Sequence, residues 1–182
     1  SQKADRNQLN HYTTHTDLQE RIRAALADYL TASRQSNPNL LNNWYFPTPV
    51  NQRERAEYTE RGYTIDGWYC NATTQNPVKI TANGAALSGK ISMYQRFEHS
   101  PIISGRSYTL SVLTADHRMI SYSGQFPVLK GSASDTIDGF TLRLTQSEKY
   151  YEIQFFPSEN FNEYIVRAAK LELGSEQTLA RQ

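Results

Sequence analysis

The sequence predicts an all-β chain: an antiparallel jelly-roll β-sandwich over residues 38–182, preceded by an N-terminal α-helical arm over residues 1–37. Three observations predict it. All nine glycines lie beyond position 61 and the first proline is Pro38, so the opening stretch lacks both strong helix breakers. Beyond it, apolar and polar residues alternate in short runs separated by Gly, Pro, Asn and Ser, the pattern of half-buried strands. Hydrophobic residues make up 38% of the 182, enough to build a core and argue against wholesale disorder.

The arm comes first. Thr16 followed by Gln19 fits a capping box, and Asp17 and Glu20 place negative charge in the first turn, where the helix dipole favours it. Leu18, Ile22, Ala25, Tyr29 and Ala32 follow a 4-3-4-3 spacing, widened by Leu26 and Leu30. Asn37-Pro38 ends the run, because proline moves the residue before it away from the α region. A lone helix of about five turns is marginal in water, so this stripe must bury against something. Its own β-domain and further copies of itself are both open at this point.

The strands follow in order. Lys79-Ile80-Thr81 is a short candidate ahead of an Asn83-Gly84 turn. Between Ala86 and His99, Ile91, Met93, Gln95 and Phe97 share one face, with Tyr94, Arg96 and Glu98 on the other. After a Ser104-Gly105 turn, Tyr108, Leu110 and Val112 alternate with Thr109, Ser111 and Leu113; Met119 to Ser123 is another short candidate. Phe140, Leu142 and Leu144 form a further strand, and Tyr151, Ile153 and Phe155 alternate with Tyr150, Glu152 and Gln154. Near the end, Arg167, Ala169, Leu171 and Leu173 alternate with Ala168, Lys170 and Glu172. Six or more strands with no intervening helix pattern read as a sandwich.

Several function classes are set aside. Nineteen Lys+Arg against eighteen Asp+Glu leave +1, which gives no electrostatic reason for nucleic acid or an anionic membrane as partner. No apolar run is long enough for a membrane span, and SQKADRNQLN has no apolar h-region, so no signal peptide is expected. Cys70, alone and in an apolar run, reads as a buried small hydrophobe. No phosphate loop, nucleophile elbow or calcium loop is visible. His11 and His15 lack further ligands, so neither a metal nor a cofactor is expected, and no catalytic residue is assigned.

Asn39-Leu40-Leu41-Asn42-Asn43-Trp44-Tyr45-Phe46, then Pro49-Val50-Asn51-Gln52-Arg53 and Tyr63-Thr64-Ile65-Asp66-Gly67-Trp68, carry a resemblance. Gln95-Arg96-Phe97-Glu98 and the closing Ala169-Lys170-Leu171-Glu172-Leu173-Gly174-Ser175 with Thr178 continue it in order. Over about residues 39–182 the chain resembles tail proteins of bacteriophages and prophages of gut Firmicutes, themselves similar to jelly-roll carbohydrate-binding modules. Glu54 stands where that family usually has glycine, and Gly67 where arginine is common. The resemblance implies a fibre- or baseplate-associated adhesion domain, extracellular on the virion, among other tail proteins and often trimeric. It carries over no catalytic residue and no ligand, and its motifs read as framework, with Trp68 as a plug between the sheets and Arg53–Asp66 as a structural ion pair.

A non-enzymatic module recognising a bacterial surface carbohydrate is therefore expected. A purely structural virion spacer or trimerisation domain, and a carbohydrate-binding module of a secreted bacterial enzyme, are the alternatives. Sugars require an aromatic flanked by polar groups. Tyr94, Arg96 and Glu98 supply that set on one strand face, and Gln154 adds to it from a second strand. A homotrimer through Leu18, Ile22, Ala25 and Tyr29 is expected from the 4-3 repeat together with the family's usual symmetry.

Overall fold

The structure is a computed structural model, and it describes residues 15–27, 37–97, 102–160 and 162–179. The chain divides into two units at the Asn37/Pro38 boundary. The first contains a helix, α1, over 15–27, with Asp17 and Arg21 paired one turn apart at 3.3 Å. The helix places Thr16 inside it rather than at its cap. Leu18, Ile22, Ala25 and Leu26 are all exposed, the three large ones at 55–58%. Tyr29 and Ala32, and the end of the predicted stripe, lie outside the described residues.

The second unit is built among the described residues from twelve strands: β1 (Glu57–Tyr58), β2 (Arg61–Tyr63), β3 (Tyr69–Asn71), β4 (Val78–Thr81), β5 (Gly84–Leu87), β6 (Met93–Phe97), β7 (Ser107–Thr114), β8 (Met119–Gln125), β9 (Gly131–Ile137), β10 (Phe140–Gln146), β11 (Tyr151–Pro157) and β12 (Tyr164–Leu173). They form two antiparallel six-stranded sheets, ordered β1-β4-β5-β12-β7-β8 and β2-β3-β6-β11-β10-β9. One apolar cluster fills the space between them. Val78, Leu87, Leu110, Val112 and Leu171 come from the first sheet; Met93, Leu142, Leu144, Ile153 and Phe155 come from the second. Fold class is thus an all-β sandwich, as the alternation of β7, β10 and β11 implies.

The opening segment 39–46 occupies the part of the β12 edge that β5 leaves free. Backbone bonds run from Leu40 N to Leu171 O, from Ala169 N to Trp44 O and from Phe46 N to Arg167 O. The Asn39 amide adds two more, donating to Ala169 O and accepting from Leu171 N. On the far side of the core, Trp68 is fully buried against Phe46 and Phe155, and its Nε1 donates to the Asn42 and Asn43 carbonyls at 3.1 and 3.0 Å. Gln95, inward-facing and buried, accepts from Asn42 N and donates to Asn42 O. The segment therefore touches both sheets.

Some sequence expectations shift. The 86–99 stretch splits: Ala86 and Leu87 belong to β5, and the left-handed pair Gly89-Lys90 turns the chain into β6. In the β4–β5 hairpin the turn is Ala82-Asn83, while Gly84 pairs with Thr81 as the first residue of β5. In β12 a bulge between Val166 and Ala168 changes the phase, so Val166 and Ala169 both face the core. Lys170 and Glu172 face the opposite way yet are wholly buried. There Thr178 accepts from Lys170 Nζ at 2.8 Å and donates to Glu172 Oε1 at 2.7 Å. Glu54 closes the Asn51–Glu54 turn at φ 54°, a region that favours glycine.

Gly84 has the tightest requirement. Its φ is +135°, and a Cβ there would sit 2.2 Å from the Val166 carbonyl oxygen, in the backbone of β12. Gly84→Ala is expected to lose on the order of 2–4 kcal/mol of stability, through combined strain and overpacking, in a denaturant melt. Gly105→Ala, with φ +77° but open space around it, is the control and should lose only about 1 kcal/mol.

Candidate functional site: a tyrosine-walled hollow

The outer face of the second sheet takes its pattern from period-2 geometry. Tyr63 of β2 pairs with Tyr69 of β3, Tyr69 with Tyr94 of β6, and Tyr94 with Gln154 of β11. All four side chains stand in one cross-strand row. The Ile65–Trp68 turn sets the row's start, since Trp68 N bonds to Ile65 O and Thr64 N to Trp68 O. Gly67 supplies the positive φ, +83°, that this turn requires.

The row encloses a hollow of about 240 Å³ lined by Tyr63, Gly67, Tyr69, Tyr94, Arg96 and Tyr150. Tyr63 meets Tyr69 edge-on at 5.1 Å between ring centroids, and Tyr69 meets Tyr94 at 4.8 Å. The Arg96 guanidinium lies 4.4 Å from the Tyr150 ring centroid and about 5.5 Å from those of Tyr94 and Tyr69. Its Nε donates to Glu152 Oε2 at 2.7 Å, the residue directly opposite on β11. Burial works most strongly against that charge, but the hydrogen bond and charge of Glu152, with Tyr150 and Tyr94 beside it, together outweigh burial and hold the guanidinium above its ordinary value. The result is a small cup with aromatic walls and a fixed cation, below the roughly 300–1,000 Å³ of drug-sized clefts.

The inward set behaves as the register requires: Ile91, Met93 and Phe97 lie in the core. Tyr94 and Arg96 are on the other face and both line the hollow. Tyr94 is nonetheless only 8% exposed, because Tyr69 and Arg96 cover it; the exposed platform is Tyr63, at 57%. Gln154 lies next to the cup with its amide engaged, donating to Ser92 Oγ at 2.8 Å and accepting from Arg143. Glu98 lies outside the described residues, and the carboxylate on Arg96 is Glu152. Tyr63, Tyr69, Tyr150 and Glu152 were not singled out by the sequence reading. A hairpin centred on Asp66 would have paired positions 63 and 69, so that part of the signal was available.

Elsewhere, Cys70 is buried, and burial pushes its thiol up, which leaves it a poor nucleophile. Arg53 Nη1 reaches Asp66 Oδ1 at 3.9 Å and donates to the Thr64 carbonyl. Among the described residues no group of three or more His, Cys, Asp or Glu is placed to hold a metal, and no helix is long and apolar enough to cross a membrane. Comparison of the chain with family models, with curated proteins and with solved structures finds no match.

Burial, with the neighbouring Tyr69 second, pushes the Tyr94 hydroxyl up to about 12. Between about pH 10 and pH 12 the folded chain keeps a proton that the unfolded chain releases, so stability falls as pH rises through that window. Tyr94→Phe should flatten this fall, measured as denaturant midpoints at stepped pH. An unchanged slope would show that the ring is less enclosed than described.

Proposed function

We propose that the chain is a non-enzymatic tail module of a bacteriophage or prophage that recognises a carbohydrate on the bacterial surface. In this reading the sandwich is a jelly roll, extracellular on the virion and working beside other tail proteins. The observation that carries the proposal is the tyrosine-walled hollow with Arg96 at its rim. A sugar ring offers apolar C–H faces to stack on tyrosine, and ring hydroxyls that take hydrogen bonds from a guanidinium and a phenol. Tyr94, neutral up to about pH 12, remains a donor at any physiological pH. The lining residues stack and donate, and the nearby Glu152 carboxylate is committed to Arg96.

Two further features support the reading. The chain passes repeatedly from one sheet to the other, at β1 to β2, β3 to β4, β5 to β6, β6 to β7, β8 to β9 and β11 to β12, a connectivity suited to a jelly roll. The segments that carry the resemblance also meet in space as framework: Asn39 on β12, Asn42 and Asn43 on Trp68, Gln95 on Asn42, and Lys170 and Glu172 on Thr178. The position where the resembled family has glycine, Glu54 here, is left-handed, so glycine there has a backbone reason.

The helix favours an oligomeric module. An apolar stripe at 55–58% exposure on the described helical residues 15–27 needs a cover, and a homotrimer through Leu18, Ile22 and Ala25 provides one.

A glycan array with the purified chain should give binding that Tyr63→Ala and Tyr69→Ala each weaken at least tenfold, about 1.4 kcal/mol, with little change in melting temperature. A blank array, or two variants that bind as the parent does, would overturn the glycan reading. Light scattering should give a trimer that Ile22→Asp converts to a monomer; a monomeric parent at micromolar concentration would overturn the assembly.

A further inference from the structure

We infer that the saccharide is anionic, and that its carboxylate or phosphodiester oxygens are held by arginines in a second hollow adjoining the tyrosine cup. This rests on the glycan reading above and narrows it. The second hollow, about 380 Å³, has Arg53, Arg55, Tyr58, Arg61, Gly62 and Tyr63 among its lining residues. Tyr63 belongs to both hollows, so its ring is the wall between them. Arg61 and Tyr63 alternate on β2 and point to the same face. The Arg53 guanidinium lies 5.6 Å from the centroid of the Tyr63 ring.

The charge balance there is not that of the chain as a whole. The whole chain carries +1, whereas three arginines line this hollow with Glu60 as the one carboxylate among its lining residues. Arg53 is partly satisfied by Asp66 and the Thr64 carbonyl. Arg55 and Arg61 enter no ion pair among the described residues, and both are exposed. Guanidiniums left unpaired in a concave site present planar pairs of N–H donors matched to an oxyanion. Arg96 in the first hollow, by contrast, is already neutralised by Glu152. The two hollows thus divide the work. The cup stacks a ring, and across Tyr63 the arginines take the charged substituent of the same or the next residue in the chain.

Two matched probe pairs test this on the full chain by titration calorimetry: oligogalacturonate against its neutral methyl ester, and phosphorylated dextran oligomer against unmodified dextran oligomer. The charged member of at least one pair should bind tenfold or more tighter. Arg55→Gln with Arg61→Gln should remove that advantage and leave the neutral member unchanged, and added salt should have the same effect. Whichever pair shows the gain names carboxylate or phosphate as the group held. Equal binding of charged and neutral members, with Tyr69→Ala weakening both, would overturn this inference and leave the glycan reading standing. Charged members that bind tighter but ignore the arginine substitutions would also overturn it. Absence of binding to all four probes, with a blank glycan array, would overturn both.

Discussion

Side-chain amides reinforce this sandwich where regular strand pairing gives way to a few isolated backbone bonds. The β12 edge is partnered by β5 only over Tyr164–Val166, and beyond that the chain lays down an irregular opening segment. Asn39 donates and accepts along β12 as a strand residue would, and Asn43 does the same at Val50, donating to its carbonyl and accepting from its N–H at 2.7 Å each. Asn43 takes this position with φ 50°, which asparagine tolerates better than most residues. Gln95 and the Trp68 indole reach the same segment from the second sheet. One stretch of chain is thereby bonded to both layers. The hairpin that carries Tyr63 and Tyr69 hangs from that junction, because its turn ends in Trp68.

The closing segment solves a different problem. β12 buries Lys170 and Glu172 completely on the side away from the core, and burial pushes the Lys170 ammonium down. Thr178 bridges the pair, and its backbone N–H gives Glu172 a further donor at 3.0 Å. Such a pair adds little net stability compared with apolar packing, since desolvating both charges offsets their attraction. Its effect is positional. Through these bonds Thr178 holds residues 174–179 over the outer face of the first sheet.

Much of the sandwich was legible because β7, β10 and β11 each alternate over seven or eight residues, with at least three successive apolar residues on one face. β1, β2 and β3 were not, being two or three residues long, too short for a period to register. β9, Gly131–Ile137, offers no apolar alternation because Ser, Asp and Thr fill it; as an edge strand beside β10 it has little to bury. The phase of β12 was hidden by its bulge, which sequence alternation cannot announce. For the site, strand periodicity was enough to put Tyr94 and Arg96 together. Their partners Tyr69 and Glu152 arrive from other strands by pairing register, which is a long-range property, and Tyr150 arrives from the residue just before β11. The groups that occupy the Gln154 amide, Ser92 and Arg143, lie 62 and 11 residues away in sequence.

Gly67 lies exposed at the lip of the cup, in a turn whose geometry is secured from below by Trp68. A Cβ there would make only ordinary contacts, 3.5 Å from Gln95 Nε2 and 3.8 Å from Asn42 Cβ. The nearer of those contacts is to the buried Gln95, so the position is coupled to the interior through that amide. Side-chain bulk is therefore opposed at the lip of the hollow by backbone shape and not by want of space. Any L residue at 67 inherits the φ of +83°, so the opening onto Tyr63, Tyr69 and Tyr94 stays as wide as glycine leaves it.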